Sequence, residues 1–164
     1  EPSPAWGWLK LSRSTTWIFI LKPPAYAGDS DKNMTLKLGE TFSVSKEITD
    51  KLIREFADLS GDYNPIHLDE DFAKETRFGK RIGHGMLTAS FISALLGYEF
   101  SVRKVVYLGQ TLSFKHPTFI GDTVTATGKV IKIREDKPIV TIETVCRNQD
   151  DDLLLEGEAV LMLL

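Results

Sequence analysis

The sequence predicts an α+β domain in which a curled antiparallel sheet wraps around one long buried helix. Three observations predict it. The run Met86–Leu96 is apolar on nearly every helical face, and a helix of that kind must be buried. After Gly97 the long segments alternate or run β-branched, as strands do. The last two separators between those segments are short enough to be hairpins, so the sheet is at least partly antiparallel.

Residues 1–33 have a character of their own. The chain begins with Glu1 and not Met, which reads as a start removed by processing or truncation. From Pro2 to Gly28 there is no acidic residue, while Lys10, Arg13 and Lys22 are basic and serines and threonines are scattered among Trp6, Trp8 and Trp17. Basic, Ser-rich and acid-poor is the composition of an organellar transit segment, and a disordered or non-native extension is the other reading. Thr15–Leu21 is apolar but only seven residues long, far below the roughly 20 that span a bilayer. Residues 22–33 read as linker, and Met34 could itself be an initiator, leaving one domain over 34–164.

Within that domain Phe42, Val44 and Ile48 predict a short first strand. Thr49-Asp50 can cap a helix whose Leu52, Ile53, Phe56 and Leu59 follow helical spacing, with Gly61 as its stop. Residues 62–83 form a long connection with a helical turn near Asp69–Glu75, leading into the buried helix. Four strands follow, Val105–Lys115, Thr123–Arg134, Ile139–Arg147 and Leu153–Leu163. Pro117 and Gly121-Asp122, then residues 135–138, then 148–152 separate them.

Composition narrows the function. With 20 basic against 23 acidic residues the chain lacks the excess positive charge that marks nucleic-acid binding. At 42% hydrophobic it can bury a sizeable core. Cys146 is the single cysteine, which excludes an intrachain disulfide and any zinc site built on two cysteines. Three histidines, His67, His84 and His116, leave little for a His-rich metal site.

Asp62 and His67 stand five residues apart on a segment that Gly61 and Pro65 keep out of regular helix. A carboxylate beside an imidazole can hold and deprotonate a water, and turn chemistry at Asp62 and Asn64 accounts for the same residues. Gly83-His84-Gly85-Met86 opens the buried helix, where first-turn N–H groups lack internal partners and glycine admits a ligand closely. Such a place suits an oxyanion hole for a thioester carbonyl, or simply a crowded helix entry. Ser90 and Ser93 are polar positions in an apolar helix, and such serines usually bond the preceding turn's carbonyl. Cys146 reads as a small core residue. Lys74, Arg77, Lys80 and Arg81 could meet phosphates or an acidic carrier, or form a solvated face, and Asp150–Asp152 reads as a charged hairpin tip.

Phe56 through Ala73 fits the pattern of the (R)-specific enoyl-thioester hydratases, an aromatic, two residues, an aliphatic, Ser-Gly-Asp-x-Asn-Pro-aliphatic-His, five residues and a small one. Gly83–Ser90 resembles the opening of that family's central helix, and Tyr107-Leu108-Gly109-Gln110 through Phe114, Pro117 and Gly121-Asp122 its first long central strand. The resemblance covers 34–164 and implies a hot-dog fold, sheets joined edge to edge in a homodimer, and an acyl-CoA or acyl-carrier-protein thioester as substrate. It implies hydration of trans-2-enoyl thioesters to (R)-3-hydroxyacyl thioesters with Asp62 and His67 as the catalytic pair and Gly85 giving an oxyanion N–H. Asn64, Ser93 and His84 are expected to bind or orient, with no metal and no redox cofactor. Eukaryotic members with an N-terminal extension imply a mitochondrial location, and compact bacterial ones a cytoplasmic location. A thioesterase on the same fold and a non-catalytic acyl-thioester-binding subunit are the alternatives.

Overall fold

The computed structural model describes residues 9–10, 17–18, 36–102 and 104–164, and the chain separates into two units, Glu1–Asn33 and Met34–Leu164. In the first, β1 (Leu9–Lys10) and β2 (Trp17–Ile18) pair antiparallel. The expected transit or non-native extension otherwise lies outside the described residues.

In the second unit β3 (Thr41–Glu47) leads into α1 (Asp50–Ser60). Both ends of α1 are made by the residues that the sequence offers. The Thr49 hydroxyl oxygen accepts the Leu52 N–H at 3.1 Å, and Gly61, left-handed at φ 77°, donates its N–H to the Ala57 carbonyl. Two short helices, α2 (Pro65–Leu68) and α3 (Glu70–Lys74), occupy the connection. Next come α4 (Gly85–Ala94), closed by a π turn over Leu95–Glu99, and then β4 (Val105–Gln110) and β5 (Ser113–Phe114). The chain ends in β6 (Thr123–Ile133), β7 (Ile139–Arg147) and β8 (Leu153–Leu163).

The sheet has six strands in the order β3-β6-β7-β8-β4, with β5 also on β8, and every pair is antiparallel. It curls around α4 without closing, which is the hot-dog arrangement. Alternate residues of β6 and β7, among them Val124, Ala126 and Val130 and then Val140, Ile142 and Cys146, point into one core with Leu87, Phe91, Ile92, Leu95 and Leu96. Burying each large side chain contributes roughly 1.5–3 kcal/mol. Among the described residues no helix is long and apolar enough to cross a membrane.

Two expectations need correction. Val105–Lys115 is not one strand. The ladder to β8 shifts register between Tyr107 and Gly109, and β4 and β5 are separated at Thr111-Leu112, where the Thr111 carbonyl sinks onto Gly157. Nor is α4 buried all round. Leu87, Thr88, Phe91 and Ile92 are buried, but Ser90, Ser93 and Ala94 are exposed and Met86 is 57% exposed, because the sheet covers only one side of the helix.

Candidate active site

The loop after α1 is held by short-range polar contacts. The Ser60 hydroxyl donates to the Phe56 carbonyl (2.6 Å) and accepts the Asp62 N–H (3.2 Å). The Asp62 carboxylate accepts the Asn64 N–H at 3.3 Å, and the Asn64 side-chain oxygen caps α2 by accepting the Ile66 N–H at 3.2 Å. Turn chemistry is therefore real here, and it is also what turns Asp62 and His67 toward a common point. A side-chain ligand atom from each of Asp62, His67 and His84 lies within 4.8 Å of the other two.

His67 is 9% exposed, and its Nδ1 lies 2.9 Å from the Ile82 carbonyl oxygen. A carbonyl only accepts, so Nδ1 carries the proton and Nε2 of the neutral ring keeps the lone pair. Burial holds the His67 pKa below its ordinary 6.5, outweighing the bond to Ile82, which raises it. The unfolded chain therefore takes up this proton more readily. The group's stabilising contribution is complete above about pH 6.5 and is lost as pH falls through the folded value. Urea midpoints are expected to fall between pH 7 and 5.5, less steeply in His67→Gln; equal slopes in the two proteins would remove His67 as the cause.

His84 is almost fully buried at 1% exposure. Its Nε2–H donates to the Asp62 carbonyl at 3.0 Å, while its Nδ1 is buried without a partner. The ring stacks on His67 (centroids 3.9 Å apart, planes at 32°) and packs against Phe56 on a 5.1 Å centroid distance. His84 thus touches both the main chain of one member of the pair and the ring of the other.

A cavity of about 260 Å³ opens beside His67, with Gly83, Gly85, Thr88, Phe114 and Thr118 in its wall. Gly85 is the first residue of α4, and no acceptor among the described residues meets its N–H. The cavity wall thus holds His67 and the free helix-start N–H of Gly85, with Asp62 beside His67 but outside the wall.

Residues 34–149 match the sequence profile of the MaoC like domain. The chain belongs to the MaoC-like family. It is 46% identical over 129 residues to an (R)-specific enoyl-CoA hydratase of Aeromonas caviae, covering 79% of this chain and 96% of that one. It is 32% identical over 131 residues to a mitochondrial 3-hydroxyacyl-[acyl-carrier-protein] dehydratase of Arabidopsis thaliana, 78% of each. Among solved structures it superposes on the (R)-hydratase from A. caviae involved in PHA biosynthesis with a TM-score of 0.77 at 46% identity, covering 80% of this chain and 99% of that one. An unliganded R-hydratase from Pseudomonas aeruginosa gives 0.74 at 35% identity, over 78% and 82% of the two chains.

The remaining expected residues of this MaoC-like domain fall in different places. Asn64 acts on the pair through its cap and its N–H to Asp62. Ser93 lies on the exposed face of α4 and is not part of the cavity wall, and His84 lies behind the wall and not in it. Ser90 bonds the Leu87 carbonyl at 2.6 Å, and burial pushes the Cys146 thiol up to about 12, so neither is poised as a nucleophile. Sequence reasoning did not single out Thr88 or Thr118, although a threonine on the buried face of an apolar helix was a signal for the first.

Proposed function

We propose that this MaoC-like domain catalyses reversible syn addition of water to trans-2-enoyl thioesters, forming (R)-3-hydroxyacyl thioesters. The observation that carries the reading is the approach of Asp62 to His67, whose neutral ring keeps a bare Nε2, with His67 and Gly85 together in one cavity wall. The names of the hydratase and dehydratase relatives support it.

In this mechanism a water lies between the Asp62 carboxylate and His67 Nε2. Nε2 takes one of its protons as the oxygen forms a bond to C3, and the C2–C3 π electrons move toward the thioester oxygen. The Gly85 N–H stabilises the charge that builds there. The proton on Nε2 is then delivered to C2 from the same face, so H and OH add syn and His67 returns to its starting state. Asp62 accepts the water's second hydrogen bond and fixes its direction of attack. Incubation with crotonyl-CoA tests the reading. (R)-3-hydroxybutyryl-CoA is the expected product, whereas free CoA would mean a thioesterase and unchanged substrate a binding subunit.

Gly85→Ala is expected to lower kcat by about 10², the scale of a disturbed oxyanion donor. A Cβ at Gly85 comes 3.0 Å from the ring of Phe114, which is 51% exposed and can yield, so the melting temperature changes little. Gly83 is not a neutral comparison. Its Cβ would sit 2.4 Å from the Thr118 hydroxyl, so Gly83→Ala loses stability. Gly97, with nothing within 4 Å, is the proper comparison. Equal kcat losses in the Gly85 and Gly97 variants would end the oxyanion assignment.

The same reading includes a homodimer. β4 is a sheet edge with Val106, Tyr107 and Leu108 each 38–50% exposed, and exposed edges of this kind are normally covered. A second copy joined along β4 would cover it. Light scattering is expected to give twice the 18.4 kDa chain mass; a folded, active monomer at micromolar concentration contradicts this. A mitochondrial location and a dispensable 1–33 segment complete the proposal, supported by the composition of residues 2–28 and the plant relatives named mitochondrial. Diffuse cytosolic signal from a reporter carrying residues 1–33 would remove the location.

A further inference from the structure

The basic run of the connecting segment, which the hydration chemistry does not use, resolves into residues with different duties. Lys74 pairs with Asp71 at 3.1 Å, and Arg81 with Asp50 at 2.7 Å and Glu70 at 3.3 Å. Lys80 lies over the Phe119 ring, 4.0 Å from its centroid. Arg77, like Lys80, is exposed and has no carboxylate partner among the described residues, and its guanidinium rests 4.8 Å from the centroid of its neighbour Phe78. It differs from Lys80 in its place, because Arg77 lines the cavity and Lys80 does not.

Arg77 also lines the cavity that holds His67 and Gly85 in its wall, together with Lys115 and His116. Lys115 is already neutralised by Glu156 at 2.9 Å, and His116 is tied through Nδ1 to the Leu153 carbonyl at 2.8 Å. Of Arg77, Lys115 and His116, only Arg77 keeps an unshared fixed charge and a full set of donors. A planar guanidinium held at a cavity rim suits a phosphate, which it can grip through two parallel N–H···O bonds.

We propose that Arg77 is the anion-recognition residue of this site and binds the phosphate at the end of a thioester's pantetheine arm. The inference rests on the hydratase reading and adds to it the part of the substrate remote from the reacting carbons. That phosphate is common to CoA and carrier-protein thioesters, so the assignment concerns the shared group. Phe78 supplies a flat support that limits the guanidinium's motion before the anion arrives.

The test compares crotonyl-pantetheine, crotonyl-4′-phosphopantetheine and crotonyl-CoA with the parent protein and with Arg77→Gln and Arg77→Lys. In Arg77→Gln the ratio of kcat/KM for crotonyl-4′-phosphopantetheine to that for crotonyl-pantetheine is expected to fall about tenfold, within the range of one charge-assisted hydrogen bond. The change should lie in KM, shrink at high salt, and be partly restored in Arg77→Lys. Equal losses on crotonyl-pantetheine and its phosphorylated form would overturn the phosphate assignment while leaving the hydratase reading intact. A loss confined to crotonyl-CoA would overturn it too, by moving the contact to the nucleotide end. No turnover of any of the three by the parent protein would instead sink the hydratase reading, and this proposal with it.

Discussion

Asp62→Asn and His67→Gln are each expected to lower turnover of crotonyl-CoA by at least about two orders of magnitude, the usual scale of general acid–base catalysis. Neither change should unfold the chain. An Asn at 62 keeps the oxygen that accepts the Asn64 N–H, and a Gln at 67 keeps an N–H able to reach the Ile82 carbonyl. What each loses is specific to the reaction, the carboxylate's charge in one and the basic lone pair in the other. Steady-state rates measured beside melting temperatures check this, and a folded variant with near-parental rates would remove its residue from the pair. On the proposed mechanism neutral His67 is the active form, so kcat/KM is expected to decline on the acid side below pH 6.5.

Gly157→Ala is expected to have the largest effect on folding. A Cβ there would lie 1.7 Å from the Thr111 carbonyl oxygen and 2.7 Å from its carbon, a collision with main chain that no rotamer relieves. Making room means parting β8 from the Thr111 segment and losing the Thr111 N–H to Glu158 carbonyl bond (2.9 Å) and the Glu158 N–H to Thr111 hydroxyl bond (2.9 Å). The cost is expected to exceed about 3 kcal/mol, a large part of the 5–15 kcal/mol that holds a typical domain together. Gly128→Ala is the milder comparison, because its closest contact, at 2.6 Å, is with the Phe42 side chain. Thermal melts of the two variants check the ranking, and a Gly157→Ala melt within a few degrees of the parent would refute it.

What the sequence revealed and what it hid follow from distance along the chain. β7 and β8 fall where alternation and hairpin separators put them, because both signals are local. The approach of Asp62 to His67 was legible for the same reason, since one short turn contains both and Asn64 between them. The break between β4 and β5 was not, because it arises from Thr111 meeting Gly157 on β8, three strands beyond β5. The crowding of Gly83 by Thr118 and the stacking of His84 on His67 are also tertiary facts, which periodicity cannot carry. The exposed face of α4 escaped notice because Met86 and Ala94 are apolar by type, whereas exposure depends on which side the sheet covers.

The acceptor that selects the His67 tautomer is a main-chain carbonyl, that of Ile82. Every amino acid supplies that oxygen, so no substitution at position 82 can delete it. An alanine scan would therefore probe the Ile82 side chain in the cavity wall and leave in place the group that sets which His67 nitrogen carries the proton. The vulnerability is displaced onto whatever holds the local path of the chain, namely the Ile82 N–H to the Ile66 carbonyl at 3.3 Å and the Gly83 N–H to the Thr118 carbonyl at 2.8 Å. Redesigning neighbouring side chains would leave the His67 tautomer untouched. Moving the loop by a fraction of an ångström, as a methyl group at Gly83 would do, is the more direct control.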